Sequence, residues 1–209
     1  MVKVKEMPYD EKYKHILDSA KLLETIALPI VKEDIGDTKA AELKSTWQKQ
    51  SENIPDGASV EEKYEVAYHN LLRNFQSAYD VINDKLGERG TEKLINGWVK
   101  ELERQTGGPS LYLYKFVRAI APQTAFRTAG KQIAYQFQFV TPYSIPELTG
   151  QHMVMDIPNC KFLDVEGCDA PCEVVCQKIT PLWLKEQFKI KNSYERKEGK
   201  SCIATFAPI

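Results

Sequence analysis

The stretch Tyr194-Glu195-Arg196-Lys197-Glu198-Gly199-Lys200-Ser201-Cys202-Ile203-Ala204-Thr205-Phe206 decides the fold of this 209-residue chain. Glu198-Gly199-Lys200 has the composition of a tight turn, and Cys202, Ala204 and Phe206 repeat every second residue behind it. Tyr194 to Lys197 therefore pairs with Cys202 to Phe206, and the chain ends in an antiparallel hairpin. Upstream, Ile133, Tyr135, Phe137 and Phe139 alternate with Ala134, Gln136 and Gln138, which predicts a strand over 133–139. A further strand is expected over 152–157. Between it and the hairpin, Asp169 followed by Pro171, and then Thr180-Pro181, read as two helix starts, because proline is tolerated in a first turn.

The N-terminal part has the other period. Tyr13, Ile16, Leu17, Ala20, Leu23 and Ala27 predict an amphipathic helix over 10–30. A second begins near Lys39, carries Leu43 and Trp47, and stops in a loop over 53–59. Ser59, three residues before Glu62, reads as the N-cap of the longest stripe, which contains Tyr64, Ala67, Tyr68, Leu71, Phe75, Ala78, Tyr79 and Ile82. Gly87 or Gly90 is expected to end it. Thr91 opens the next helix, Gly107-Gly108-Pro109 breaks that one, and a short apolar segment over 111–120 follows. Helices first and strands later define an α+β protein, with a helical part (1–125) packed on a C-terminal antiparallel sheet (126–209) as one domain.

Composition narrows the function. The formal net charge is −1 and the basic residues are not clustered, so no nucleic-acid partner is expected, since phosphate binding needs concentrated Lys and Arg. No run approaches the apolar length of a membrane span, and Met1-Val2-Lys3-Val4-Lys5-Glu6 lacks the apolar core of a signal peptide. A cytoplasmic protein with no membrane partner is expected. Charge and periodicity do not set the oligomeric state.

All five cysteines, Cys160, Cys168, Cys172, Cys176 and Cys202, lie in the last quarter. Three readings compete. Zinc ligands two to four residues apart would fit Cys168 with Cys172 or Cys172 with Cys176, completed by Cys160, Cys202 or His152. A reactive thiol is the second: with Asp169 as N-cap, Cys172 lies in the first helical turn, where free N–H groups favour a thiolate, and Cys176 lies one turn on along nearly the same face. Asp169 and Glu173 oppose that ionisation. The third is burial, since free cysteine packs as a small apolar residue. His152 opens a strand running toward Asp156 and Cys160 and is a candidate base or ligand, with Asp156 or Asp164 to orient it. Arg118 and Arg127 are candidates to hold a carboxylate. His15 and His69 and the aromatic stripe of the third helix read as surface and core.

Asn159-Cys160-Lys161-Phe162, the acidic Cys-x-x-x-Cys-x-x-x-Cys segment ending at Cys176, and Glu198-Gly199-Lys200-Ser201-Cys202-Ile203-Ala204-Thr205-Phe206 together resemble the L-2-amino-thiazoline-4-carboxylic acid hydrolase family. The C-terminal half is similar in turn to the vinyl-reductase-type small-molecule-binding fold. The resemblance implies ring-opening hydrolysis of a cyclic isothiourea to a carbamoyl-cysteine. Clustering and helix position make Cys172 or Cys176 the candidate nucleophile for that reaction, with His152 or Asp156 as proton carrier, Arg127 as carboxylate holder and Cys202 closing the pocket. No cofactor is then needed. The alternative is a module without catalysis that binds a small molecule, zinc or a redox signal, with Cys160 and Cys168 among the metal ligands.

Overall fold

The computed structural model describes residues 2–51, 54 and 57–209, so the loop expected over 53–59 lies partly outside the described residues. Helix α1 (Tyr9–Asp34) carries Asp10 and Glu11 in its first turn, where they meet the positive helix end. It turns through Ile35 and Gly36, whose N–H groups both donate to the Val31 carbonyl, into α2 (Asp37–Ser51). Helix α3 (Val60–Thr106) starts with the expected capping box: Glu62 N–H donates to Ser59 Oγ at 3.2 Å, and Ser59 N–H donates to the Glu62 carboxylate at 2.8 Å. Gly87, at φ 60° and ψ −145°, breaks the helical backbone as expected, so α3 is two helical stretches joined across a kink at that residue. The apolar segment after Gly107-Gly108 is α4 (Pro109–Ile120).

Helix α5 (Pro122–Phe137) replaces the strand expected over 133–139 and carries the helical part past residue 125. The alternation was misleading because the residues that pack are the small ones. Ala125, Phe126, Ala129, Gly130 and Ala134 form a buried helical stripe, while Ile133, Tyr135 and Phe137 are only half-buried. Gly130 lies so close to the sheet that a Cβ there would stand 3.0 Å from Leu148 and 3.1 Å from the Met153 sulfur. The Tyr135 hydroxyl, on another side of the helix, donates to Glu11 at 2.7 Å.

The sheet has four antiparallel strands in the order β1-β2-β4-β3: β1 (Ser144–Leu148), β2 (Met153–Ile157), β3 (Ile190–Arg196) and β4 (Cys202–Pro208). Three were expected; β1, which carries Pro146, was not. At the sheet edge proline forfeits no ladder bond, and a register shift between Ser144 and Glu147 accommodates it. One face of the sheet is buried, through Ile145, Met153, Met155, Ile157, Ile190, Tyr194, Ala204 and Phe206. The other carries Asp156, Lys191, Ser193 and Glu195.

From Pro171 to Ile179 the backbone is π-helical, continuing into α6 (Thr180–Phe188). This segment joins the two hydrophobic cores. Ala170, Val174 and Ile179 pack into the core of α1, α2 and α3, while Cys176 belongs to the core formed by the sheet, α5 and Tyr64, Tyr68 and Leu72 of α3. The segment thus carries packing from the helical part to the sheet part of the α+β arrangement.

Candidate functional site

Cys160, Cys172, Cys176 and Cys202 line one cavity, together with Phe137, Val140, Ile157, Phe162, Leu163, Gln177, Tyr194 and Arg196. Each thiol reaches it by a different route. Cys160 follows β2 and is fixed when its N–H donates to the Lys200 carbonyl at 2.8 Å. Cys202 opens β4, paired with Ile157 on one side and Arg196 on the other. Cys172 and Cys176 lie on the π-helical segment, where the widened turn keeps residues four apart on one face. Cys168 does not line the cavity; its neighbouring charges are Arg73, Asp80 and Asp169.

The expected helix start is built differently. Asp169 makes no side-chain cap; the segment begins at Ala170, whose N–H donates to Gln76 Oε1 of α3 at 2.8 Å. Asp169 instead faces Arg196, with carboxylate and guanidinium 3.8 Å apart on the surface. Arg196 was not singled out in the sequence. Only strand register shows it, because pairing with Cys202 brings the last residue of β3 alongside the thiols.

The electrostatic balance on the thiols goes against a resting thiolate. Burial pushes Cys160 up to about 11 and Cys176 well above the ordinary thiol range. Burial also raises Cys172, aided by Asp169 and Glu173, while Arg196 pulls it back down. Cys202 is raised by burial first, then by Cys172 and Glu195, against the pull of Arg196. Cys172 and Cys202 are the two half-buried thiols of the cavity, and both feel the Arg196 guanidinium. Tyr68 packs behind the site, its ring stacked on Phe162 and its phenol buried without a hydrogen-bond partner among the described residues.

The other expected site residues stand elsewhere. His152 precedes the far end of β2 from Ile157, with Nδ1 3.4 Å from Glu147. Asp156 is exposed on the outer face of the sheet, and Arg127 is exposed on α5. Arg118 donates to the Phe188 carbonyl at 3.4 Å. None of them lines the cavity, so among the described residues no imidazole or carboxylate lines it as a base. Alternation along β2 explains Asp156: Ile157 points inward, so its neighbour points out. Among the described residues no group of three or more His, Cys, Asp or Glu side chains is arranged to hold a metal ion. All five cysteines are free thiols, and no helix among the described residues is long and apolar enough to cross a membrane.

The cavity is small, about 20 Å³, room for roughly one water molecule. Comparison with family models, characterised proteins and solved structures finds no match to this chain.

Proposed function

We propose that the four-thiol cavity is the site of a hydrolase that opens a compact, carboxylate-bearing ring containing a C–N and a C–S bond. The observation that carries this reading is the convergence of four thiols and one guanidinium from four separate segments on one apolar cavity. Arg196 receives the carboxylate through its planar fork. Cys172, the half-buried thiol beside it, is the nucleophile.

A raised thiol pKa and the lack of a resident base suit a substrate that brings its own base. The amidine-like ring nitrogen takes the Cys172 proton, and the sulfur adds to the carbon between ring nitrogen and ring sulfur. The ring C–S bond breaks, releasing the substrate thiol and leaving the carbon on Cys172. Water adds to that carbon, the Cys172–carbon bond breaks, and a carbamoyl product departs with the Cys172 thiol restored. Substrate plus one water equals product. Entry requires the π-helical segment and the β3–β4 hairpin to separate, because the closed cavity admits only a water. The free thiols suit the reducing cytoplasm.

The test is turnover of 2-aminothiazoline-4-carboxylate followed by mass spectrometry. Cys172→Ala is expected to reduce kcat by about a hundredfold or more, and Arg196→Gln to raise KM by about tenfold. Unchanged turnover in Cys172→Ala eliminates the thiol mechanism. A second reading, a small-molecule or redox-sensing module without turnover, is favoured by a cavity lining that holds no imidazole or carboxylate among the described residues. It predicts saturable ligand binding or reversible oxidation of the wild-type protein with no product.

A further inference from the structure

Helix α4 carries an outward apolar face that the rest of the fold does not use. Its inner side is anchored: Leu111 is buried, and the Tyr114 hydroxyl and Arg118 both donate to the Phe188 carbonyl, at 2.8 and 3.4 Å. Its outer side presents Tyr112, Leu113, Phe116 and Ile120 at 72, 64, 63 and 68% exposure. These positions recur at one, four and eight residues, so they form one stripe along the helix. Large apolar side chains at that exposure, side by side, mark an interaction surface.

The charge of the chain segment that carries the stripe indicates what covers it. From residue 105 to 146 the chain contains Lys115, Arg118, Arg127 and Lys131 and not one Asp or Glu, although it holds 29 acidic residues in all. Lys115 flanks the stripe, and Arg127 and Lys131 lie one turn apart on α5, one residue beyond α4. All three are exposed, and none forms an ion pair among the described residues. The four apolar side chains expose roughly 500 Å² together, less than the roughly 800 Å² per partner of a stable protein interface. A short amphipathic helix with aromatic and aliphatic residues on one side, an exposed cation of its own and two more on the helix that follows matches the surface of an anionic bilayer.

We infer that α4 docks this protein on an anionic membrane surface, with Tyr112, Leu113, Phe116 and Ile120 entering the headgroup boundary and Lys115, Arg127 and Lys131 meeting lipid phosphates and carboxylates. A dock of this kind needs no spanning segment. It is reversible, since a short apolar stripe supplies a limited driving force and the cations supply the rest.

Flotation of the full chain with vesicles tests it, using phosphatidylcholine alone or with phosphatidylserine as about a third of the lipid. Binding to the anionic vesicles is expected, with little to the neutral ones and loss in high salt. Leu113→Ser with Phe116→Ser is expected to weaken binding about tenfold or more, and each of Lys115→Gln, Arg127→Gln and Lys131→Gln about fivefold. Circular dichroism melts check that the variants fold, and Phe116→Ser alone serves if the pair does not. Equal binding to both vesicle types, or none to either, overturns the inference. A concentration-dependent dimer that Phe116→Ser abolishes also overturns it, assigning the face to a second copy.

Discussion

Gln76 of α3 accepts the backbone N–H of Ala170 at 2.8 Å, and through that bond the long helix sets where the π-helical, thiol-bearing segment begins. A side chain 94 residues away does the work that Asp169 was expected to do. The same Gln76 amide donates to Asp80 at 2.8 Å, which holds its oxygen toward Ala170.

Gln76→Ala is therefore expected to cost about 1 kcal/mol, the value of a hydrogen bond with a part-buried donor left unpaired. It should also speed alkylation of Cys172, three residues beyond Asp169. Urea unfolding and timed mass mapping measure the two effects. Unchanged stability with unchanged Cys172 labelling would show that the segment is seated by its packing alone.

Alkylation at neutral pH should rank the thiols by burial. Cys172 and Cys202 are half-buried and react first, while Cys160 and Cys176 are buried and raised furthest, so they react only through opening of the cavity. Peptide mapping after iodoacetamide reads the order. Early labelling of Cys176 would contradict it.

Stability should fall in alkali. Cys160 titrates near 9 when unfolded and at about 11 when folded, so the folded state holds its proton through that window. Its contribution is fully present below pH 9 and is lost as pH rises toward 11, by about 2 kcal/mol. Other groups titrate in the same range, so the measurement is the difference between wild type and Cys160→Ala in urea midpoints at pH 8 and pH 10.5. Parallel curves would remove Cys160 as a source of the slope.

Gly87→Ala isolates backbone strain. Nothing lies within 4 Å of an added Cβ, but φ 60° with ψ −145° is a region that side chains disfavour. A loss of about 1–3 kcal/mol is expected in chemical denaturation. A neutral result would mean that the kink relaxes and that α3 can run straight through this point.

Much of the fold was legible because it depends on near neighbours in the chain. Ser59 and Glu62 cap α3 wherever that helix goes, and Glu198-Gly199-Lys200 turns back on itself regardless of what lies beneath the hairpin. The strand expected over 133–139 failed because alternation between half-exposed positions resembles a strand, whereas the buried Ala129, Gly130 and Ala134 carry little hydrophobic signal. Their importance lies in what they allow to approach, and Leu148 and Met153 come from elsewhere in the chain. Strand β1 carries Pro146, a residue that disqualifies only an inner strand.

The candidate site divides in the same way. The residues from 160 to 202 by themselves determined that five thiols are crowded into one region, because a count needs no geometry. Only the tertiary structure decided which four share a cavity, that Arg196 joins them, that His152, Asp156 and Arg127 do not, and that burial raises the thiols. Strand register, the facing of alternate residues and the degree of burial are properties of packed surfaces, set by segments far apart in the chain, and no short stretch of residues carries them.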